Sequence, residues 1–397
     1  MAIIKPFAAL RYDFQKAGKP EDVCCPPYDI IPDHGEYTKK SKYNAIRLEG
    51  GERLETPDPY QDASELVKRW TDSGILYRER MPAFYLYEAS FPSKFGGRQT
   101  LKGFTAHVEL RPFSEGVVLP HENTLSGPKA DREKLMRATG CHFSPIYSLY
   151  DDENGDIAAL LEAAAQAGTP DHDFTDNEGV RHTMRTVFDP GFCQKISGLF
   201  DGKPLFIADG HHRYETSVGL YQDDPDSVSP YVMMFLADMN RPGLEVYATH
   251  RIVKNIAGYD DIAMKGRLGE RFDFENTAEP KAGEPVWVTS SGCLRVRPKD
   301  GAWTGLDVTL LHDGILEPFF GIGAESMARQ QNLAYTRDDS EAINLVRTGQ
   351  ADCAFLIAPT QVSQIRETVL EGKKMPQKST YFYPKIITGL FMNNFRN

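Results

Sequence analysis

A carboxylate, a glycine, two histidines and an arginine stand in a row at Asp209, Gly210, His211, His212 and Arg213. They follow the apolar run Leu205 to Ala208 and precede a stretch in which Tyr214, Val218 and Tyr221 recur at helical spacing. That order predicts a buried strand ending at Asp209 and a helix starting after Gly210. The free N–H groups of such a helix start, with the positive end of its dipole, favour an anion. Gly210 permits a turn or a close approach by a ligand. Arg213, in the first turn, offers a planar fork suited to phosphate oxygens. Asp209 has two readings: it caps the helix, or it orients hydrated Mg²⁺ beside phosphates. His211 and His212 diverge by about 100° on a helix and cannot share a metal, so one of the two is expected at a ligand.

A second polar group stands upstream in LPHENTLSGPKADR, residues 119–132. His121, Glu122 and Thr124 sit together there. Pro128 opens a helix that carries Lys129 and Arg132 three apart on one face. Glu122 is expected to be functional rather than structural. Lys129 and Arg132 suit either phosphate contacts or a solvated basic helix, and both readings stand at this point.

Around these segments the chain mixes strands and helices, which predicts a mixed α+β architecture. Asp58, Pro59 and Gln61 have the spacing of a capping box ahead of a helix whose apolar stripe is Ala63, Leu66, Val67 and Trp70. AFYLYEASF and TLKGFTAHVEL flank a glycine-rich turn and read as a hairpin. In the last third, EPVWVTSSGCLRV reads as another hairpin, Asp307 as a helix cap, and CAFLIA as a strand between two helices. With 397 residues, more than one domain is expected. The divisions fall at 1–115, 116–250 and 251–397. The segment 372–385, GKKMPQKSTYFYPK, gathers four lysines and three aromatic residues without an acid. It suits a cover over an anionic ligand, or a solvated loop followed by a strand.

The net charge of −11 argues against DNA or anionic lipid as a partner. The longest apolar run, YVMMFLA, is strand-length and too short to span a bilayer. The N-terminus lacks the hydrophobic core of a signal peptide. A cytoplasmic protein is therefore expected. The six cysteines are scattered, without metal-ligand spacing, and read as reduced packing residues.

HEN-T, a helix, SPIYSL and a strand ending in DGHHR together resemble the ParB/sulfiredoxin-like superfamily, and within it the free-serine kinases. That resemblance covers residues 108–222. Over Pro26 to Lys385 the chain also resembles the domain-of-unknown-function family numbered 1015, through ADGHHRYET, GPKADR and MPQKSTYFYPK. The kinase resemblance implies a ParB/sulfiredoxin-like core within 116–250, flanked by N- and C-terminal α/β regions. It also implies Glu122 as the acidic catalytic residue and Asp209 to Arg213 as a phosphate motif. The segment 151–202 has no counterpart in those kinases, and DGHHR lacks the sulfiredoxin cysteine.

These readings combine into a kinase that uses Mg²⁺ and ATP or ADP and transfers phosphate to a small hydroxylated metabolite such as free serine. Asp209 would hold the metal. Gly210, His211, His212, Arg213, Lys129 and Arg132 would meet the nucleotide, and His121 and Thr124 the acceptor. Two alternatives remain from other classes: a nucleotide-binding regulator without turnover, and a metal-dependent hydrolase using His121, Glu122 and His211 or His212.

Overall fold

The computed structural model describes the chain apart from residues 123, 125, 302, 304, 324, 325, 327–330, 377 and 397 and the side chain at 126. The architecture is mixed α+β, and the chain divides into two compact units. The first holds Met1–Pro120, Thr124–Leu244 and Pro384–Asn397. The second holds His121–Asn123 and Glu245–Tyr383.

Nine strands among the described residues form one sheet in the first unit. They are β1 (Ile4–Lys5), β2 (Phe84–Pro92), β3 (Arg98–Glu109), β4 (Val118–Pro120), β5 (Ile146–Tyr150), β6 (His172–Thr175), β7 (Arg181–Val187), β8 (Leu205–Asp209) and β9 (Tyr231–Asp238). Their order is β4-β8-β5-β9-β3-β2-β7-β6, with β1 beside β3. The hairpin β2–β3 turns through Gly96 and Gly97, both at positive φ, where a side chain would be strained. β9 lies between β5 and β3 and is buried along almost its whole length, which explains its unbroken apolar letters. Residue 115 lies between β3 and β4 of this one sheet. Segment 151–202 supplies β6 and β7, which extend the sheet beyond β2.

Five helices belong to this unit's argument: α1 (Pro59–Asp72), α2 (Ser126–Thr139), α3 (Asp156–Gln166), α4 (Pro190–Leu199) and α5 (His211–Asp223). Ile157 of α3, Ile196 of α4 and Tyr214 of α5 share one core with Phe84, Leu86, Phe104, Ile146 and Leu205 of the strands. Val218 and Tyr221 pack half-buried against that core, and α5 also buries His211, Arg213, Thr216, Ser217 and Leu220, so its buried surface is wider than the expected stripe. At α1, Asp58 accepts from the Gln61 backbone N–H at 3.0 Å, but the Gln61 side chain turns to Glu65 at 3.1 Å. Only half of the expected capping box forms.

The second unit is built on an antiparallel sheet of β10 (His250–Val253), β11 (Phe272–Asn276), β12 (Val286–Thr289), β13 (Gly292–Pro298), β14 (Leu333–Thr336) and β15 (Cys353–Leu356), ordered β11-β13-β12-β15-β10-β14. Its core includes Val253, Phe272, Trp287, Val296, Leu311 and Phe355. The hairpin expected at 285–297 is β12–β13. Asp307 does not cap its helix. It is the first helical residue, and its carboxylate accepts from the Gly283 N–H at 3.0 Å instead. In the lysine-rich segment, Tyr381–Tyr383 is a strand paired with Glu245–Tyr247, and Phe382 is buried.

All six thiols are free, and five of them are buried. Among the described residues no helix is long and apolar enough to cross a membrane.

Candidate functional site

β8 ends at Asp209 and α5 begins at His211, with Gly210 between them at φ +94°. A β-carbon at 210 would meet the Arg213 guanidinium at 2.9 Å, so glycine is required for the conformation and for the close approach alike. The N-cap of α5 is Gly210, which has no side chain to make a capping hydrogen bond. Asp209 is therefore not the cap, and the first-turn N–H groups remain the helix's positive end.

The Asp209 carboxylate is held by two cations. Lys385 Nζ donates to Oδ1 at 2.6 Å, and Arg213 Nη2 donates to Oδ2 at 2.8 Å. Burial alone would push this carboxyl up. Lys385 and then Arg213 outweigh it, so the group stays well below the usual carboxylate range and is ionised. Arg213 is a buried brace rather than an exposed fork. Its Nη1 also donates to Ser144 Oγ at 2.6 Å and to the Pro145 carbonyl at 2.8 Å. Ser144 donates onward to Glu49, whose other oxygen accepts from Thr388 Oγ1 at 2.8 Å. A continuous polar chain thus runs from Lys385 through Asp209, Arg213 and Ser144 to Glu49, and such networks fix one geometry when every member is satisfied.

The two basic residues of α2 go to different places. Arg132 is buried, lies over the Tyr28 ring at 3.8 Å, pairs with Asp131 and donates to the Glu49 carbonyl at 2.9 Å. Gly51, at φ +57°, closes over that pair, since a β-carbon there would sit 2.5 Å from Arg132 Nη2. Lys129 instead meets Glu215 of α5 at 3.0 Å, and Thr124 donates to the same carboxylate. The shared helix face expected from their spacing is not how they are used. His211 is buried and His212 half-buried, as neighbours pointing apart should be.

His121 and Glu122 belong to the second unit. Glu122 forms a single parallel bridge with Met375, and its Oε1 accepts from the Ser379 N–H at 3.0 Å. His121 is buried, with Nε2 2.7 Å from Thr380 Oγ1 and 3.6 Å from Glu122 Oε1. Met375 N–H donates to the His121 carbonyl at 2.8 Å. The lysine-rich segment therefore fixes the orientation of Glu122. Asn123 lies outside the described residues. Among those described, no three His, Cys, Asp or Glu side chains converge as a metal site, so the hydrolase alternative finds no ligand set there.

Sequence reasoning did not single out Lys385, Ser144 or Glu49. Lys385 carried a signal, as the last cation of the basic segment. Ser144 carried one only as the first residue of SPIYSL, with no partner to read from it, and a lone Glu49 carried none.

A mixed α+β chain with a glycine-capped helix start beside a clamped carboxylate is the class of molecule these features define. The family model for proteins of unknown function, DUF1015, matches residues 4–309, and the chain belongs to that family. Comparison with curated protein sequences finds no match. Among solved structures the chain is similar to a free serine kinase in complex with AMP, at 14% identity over 69% of this chain and 89% of that one, with a TM-score of 0.38. It is similar to a conserved hypothetical protein from Pyrococcus furiosus, at 15% identity over 69% and 92%, with a TM-score of 0.37. It is also similar to C-terminally truncated SbnI from Staphylococcus aureus, at 12% identity over 72% and 87%, with a TM-score of 0.38. At these values the reading of the site rests on its own geometry.

Proposed function

We propose that this protein is a nucleotide-dependent phosphotransferase that passes phosphate from ATP or ADP to a small hydroxylated metabolite such as free L-serine. The observation that carries the reading is the Asp209–Gly210–His211 junction, where an ionised carboxylate and Lys385 stand at a helix start whose N-cap is a glycine. The resemblance of DGHHR to the phosphate motif of free-serine kinases points the same way.

Phosphoryl transfer asks mainly for positioning and charge neutralisation, because its transition state is loose. The first-turn N–H groups of α5 and Lys385 would hold phosphate oxygens, with one of His211 and His212 and, further along, Lys129 assisting. Arg213 would act through Asp209, holding its carboxylate in place. One carboxylate suits Mg²⁺, which takes one or two carboxylates and completes its shell with water and substrate phosphates; bound at Asp209, Mg²⁺ would neutralise phosphate charge. Glu122, oriented by the Ser379 N–H, would take the acceptor's proton, and His121 and Thr124 are assigned to the acceptor side.

The test uses the full chain with ATP or ADP, Mg²⁺ and a panel of hydroxylated metabolites that includes serine, with the phosphorylated product read by mass spectrometry. Product formation is expected. Nucleotide binding by calorimetry without transfer to any acceptor would replace the kinase with a nucleotide-binding regulator. Absence of nucleotide binding would remove the site reading altogether.

A further inference from the structure

The first unit holds a cavity of about 430 Å³, within the range of small-molecule sites. It lies between the sheet and α3. Asp209 is set against Tyr147 at one end of β5, whereas Asp238, on the cavity wall, is set against Tyr150 at the other. The cavity is therefore separate from the candidate phosphate site. α3 and β7, which supply part of its walls, both come from segment 151–202.

Its floor is apolar, with Leu86, Leu161 and Tyr150 among the residues that line it. Across that floor runs a row of charges. Glu88 of β2 is in register with Lys102 of β3. Asp238 follows Ala237, the partner of Gly103, which sets it opposite Lys102. Alternation along each strand puts Glu88, Lys102 and Asp238 on the same face as Leu86, giving negative, positive and negative charges about 4.8 Å apart. Arg241 stands at the mouth. The turn that carries it is pressed onto β3, because a β-carbon at Gly243 would lie 2.0 Å from the Thr100 carbonyl oxygen.

The ion pairs among these charges are long, while Asp238 Oδ1 also accepts from the Asn240 N–H at 3.0 Å. Lys102 Nζ is 3.6 Å from Glu88, and Arg241 is 3.3 Å from Glu162 and 3.7 Å from Asp238. Strong charge-assisted hydrogen bonds are about 2.7–2.9 Å long. Asp238 is buried, and burial raises its carboxyl. A ligand ammonium would relieve that desolvation. A carboxylate would engage the cations, and an apolar group would cover the floor.

We propose that this cavity binds a free amino acid with a large apolar side chain as its zwitterion. The ammonium meets Asp238, the carboxylate meets Lys102 and Arg241, and the side chain lies on Leu86, Leu161 and Tyr150. The site is independent of phosphate transfer.

Calorimetry on the full chain with leucine, phenylalanine and tryptophan tests this. At least one is expected to bind saturably, with a dissociation constant of about 1 mM or tighter. Its methyl ester, which lacks the carboxylate, and its N-acetyl derivative, which lacks the ammonium, should each bind about tenfold more weakly or worse. Lys102→Met, at a half-exposed position that tolerates change, should weaken the amino acid by a similar factor. Absence of binding by all three amino acids would overturn the proposal. So would equal binding of both derivatives, or an unchanged affinity in Lys102→Met.

Discussion

Asp209 and Lys385 are 176 residues apart in sequence and 2.6 Å apart in the fold, and the same carboxylate reaches Arg213 through its other oxygen at 2.8 Å. Arg213 is the member whose loss should be felt most. Arg213→Ala would leave Asp209 with one cation and take the donor from Ser144 and the Pro145 carbonyl. Breaking a buried ion pair by removing one partner costs about 3–5 kcal/mol. Urea unfolding should show a loss of that size. An unchanged midpoint and slope would mean that the brace carries no stability.

Gly210 separates the site from the helix that presents it. Gly210→Ala should weaken nucleotide binding by tenfold or more, about 1.4 kcal/mol, because the left-handed backbone at 210 and the contact with Arg213 must both change. Gly219→Ala is the matched control on the same helix. A β-carbon there meets nothing within 4 Å, and alanine favours a helix over glycine by roughly 1 kcal/mol. The control should bind nucleotide normally and be slightly more stable. Equal nucleotide affinity in Gly210→Ala and wild type would dissociate the junction from phosphate binding.

The strand–glycine–helix order at 205–221 was legible because period and punctuation are local. The hairpin of β2 and β3 was legible for the same reason. The partners of that junction were not. Arg213 reads as a fork for a ligand until Ser144 and Pro145 are brought beside it from another strand's approach. Lys129 and Arg132 share a face by spacing, yet Arg132 turns inward because Asp131 and the Glu49 carbonyl await it. Asp307 reads as a cap, but the Gly283 N–H claims its carboxylate. Apart from the adjacent Asp131, each is a contact of long sequence separation, which periodicity does not encode. The cavity beneath α3 was invisible in the sequence, since its charge row exists only once three strands are in register.

Several buried and half-buried histidines shape the acid side of the stability profile, and His142 and His312 are lowered furthest. His142 accepts at Nδ1 from Asn393, 3.3 Å away, and has Ser217 Oγ 3.1 Å from Nε2. Burial, then His107 and Arg213, brings its pKa down to about 3. Burial, then Arg251, brings His312 down to about 3 as well. Unfolded histidine titrates near 6.5, so between about pH 6.5 and 3 the unfolded chain binds more protons than the folded one. Stability must then fall as pH drops through that window, by up to about 1.4 kcal/mol per pH unit for each histidine. Asp209 acts elsewhere. Its depressed carboxyl contributes fully above the unfolded value near 3.9, and that contribution is lost only as pH falls below it. Denaturant unfolding at about pH 7 and pH 5 should differ by roughly 2 kcal/mol per histidine, and His142→Gln should reduce the difference. A flat profile would mean that both rings protonate in the folded state.

Glu122→Gln bears on the enzyme itself. Glu122 Oε1 accepts from the Ser379 N–H, and glutamine keeps an oxygen for that contact while losing charge and basicity. The bridge to Met375 is made by the backbone and survives the change. A general base contributes about 10²–10⁴-fold to rate, so transfer should fall by that order. Nucleotide binding should persist, because the donors assigned to phosphate lie on α5 and at Lys385. Single-turnover transfer and nucleotide calorimetry on the same preparation separate the two quantities. A variant that transfers at the wild-type rate would make Glu122 a structural link to the 375–379 segment and send the search for the base elsewhere. A variant that loses nucleotide binding together with transfer would assign Glu122 to binding rather than to proton removal.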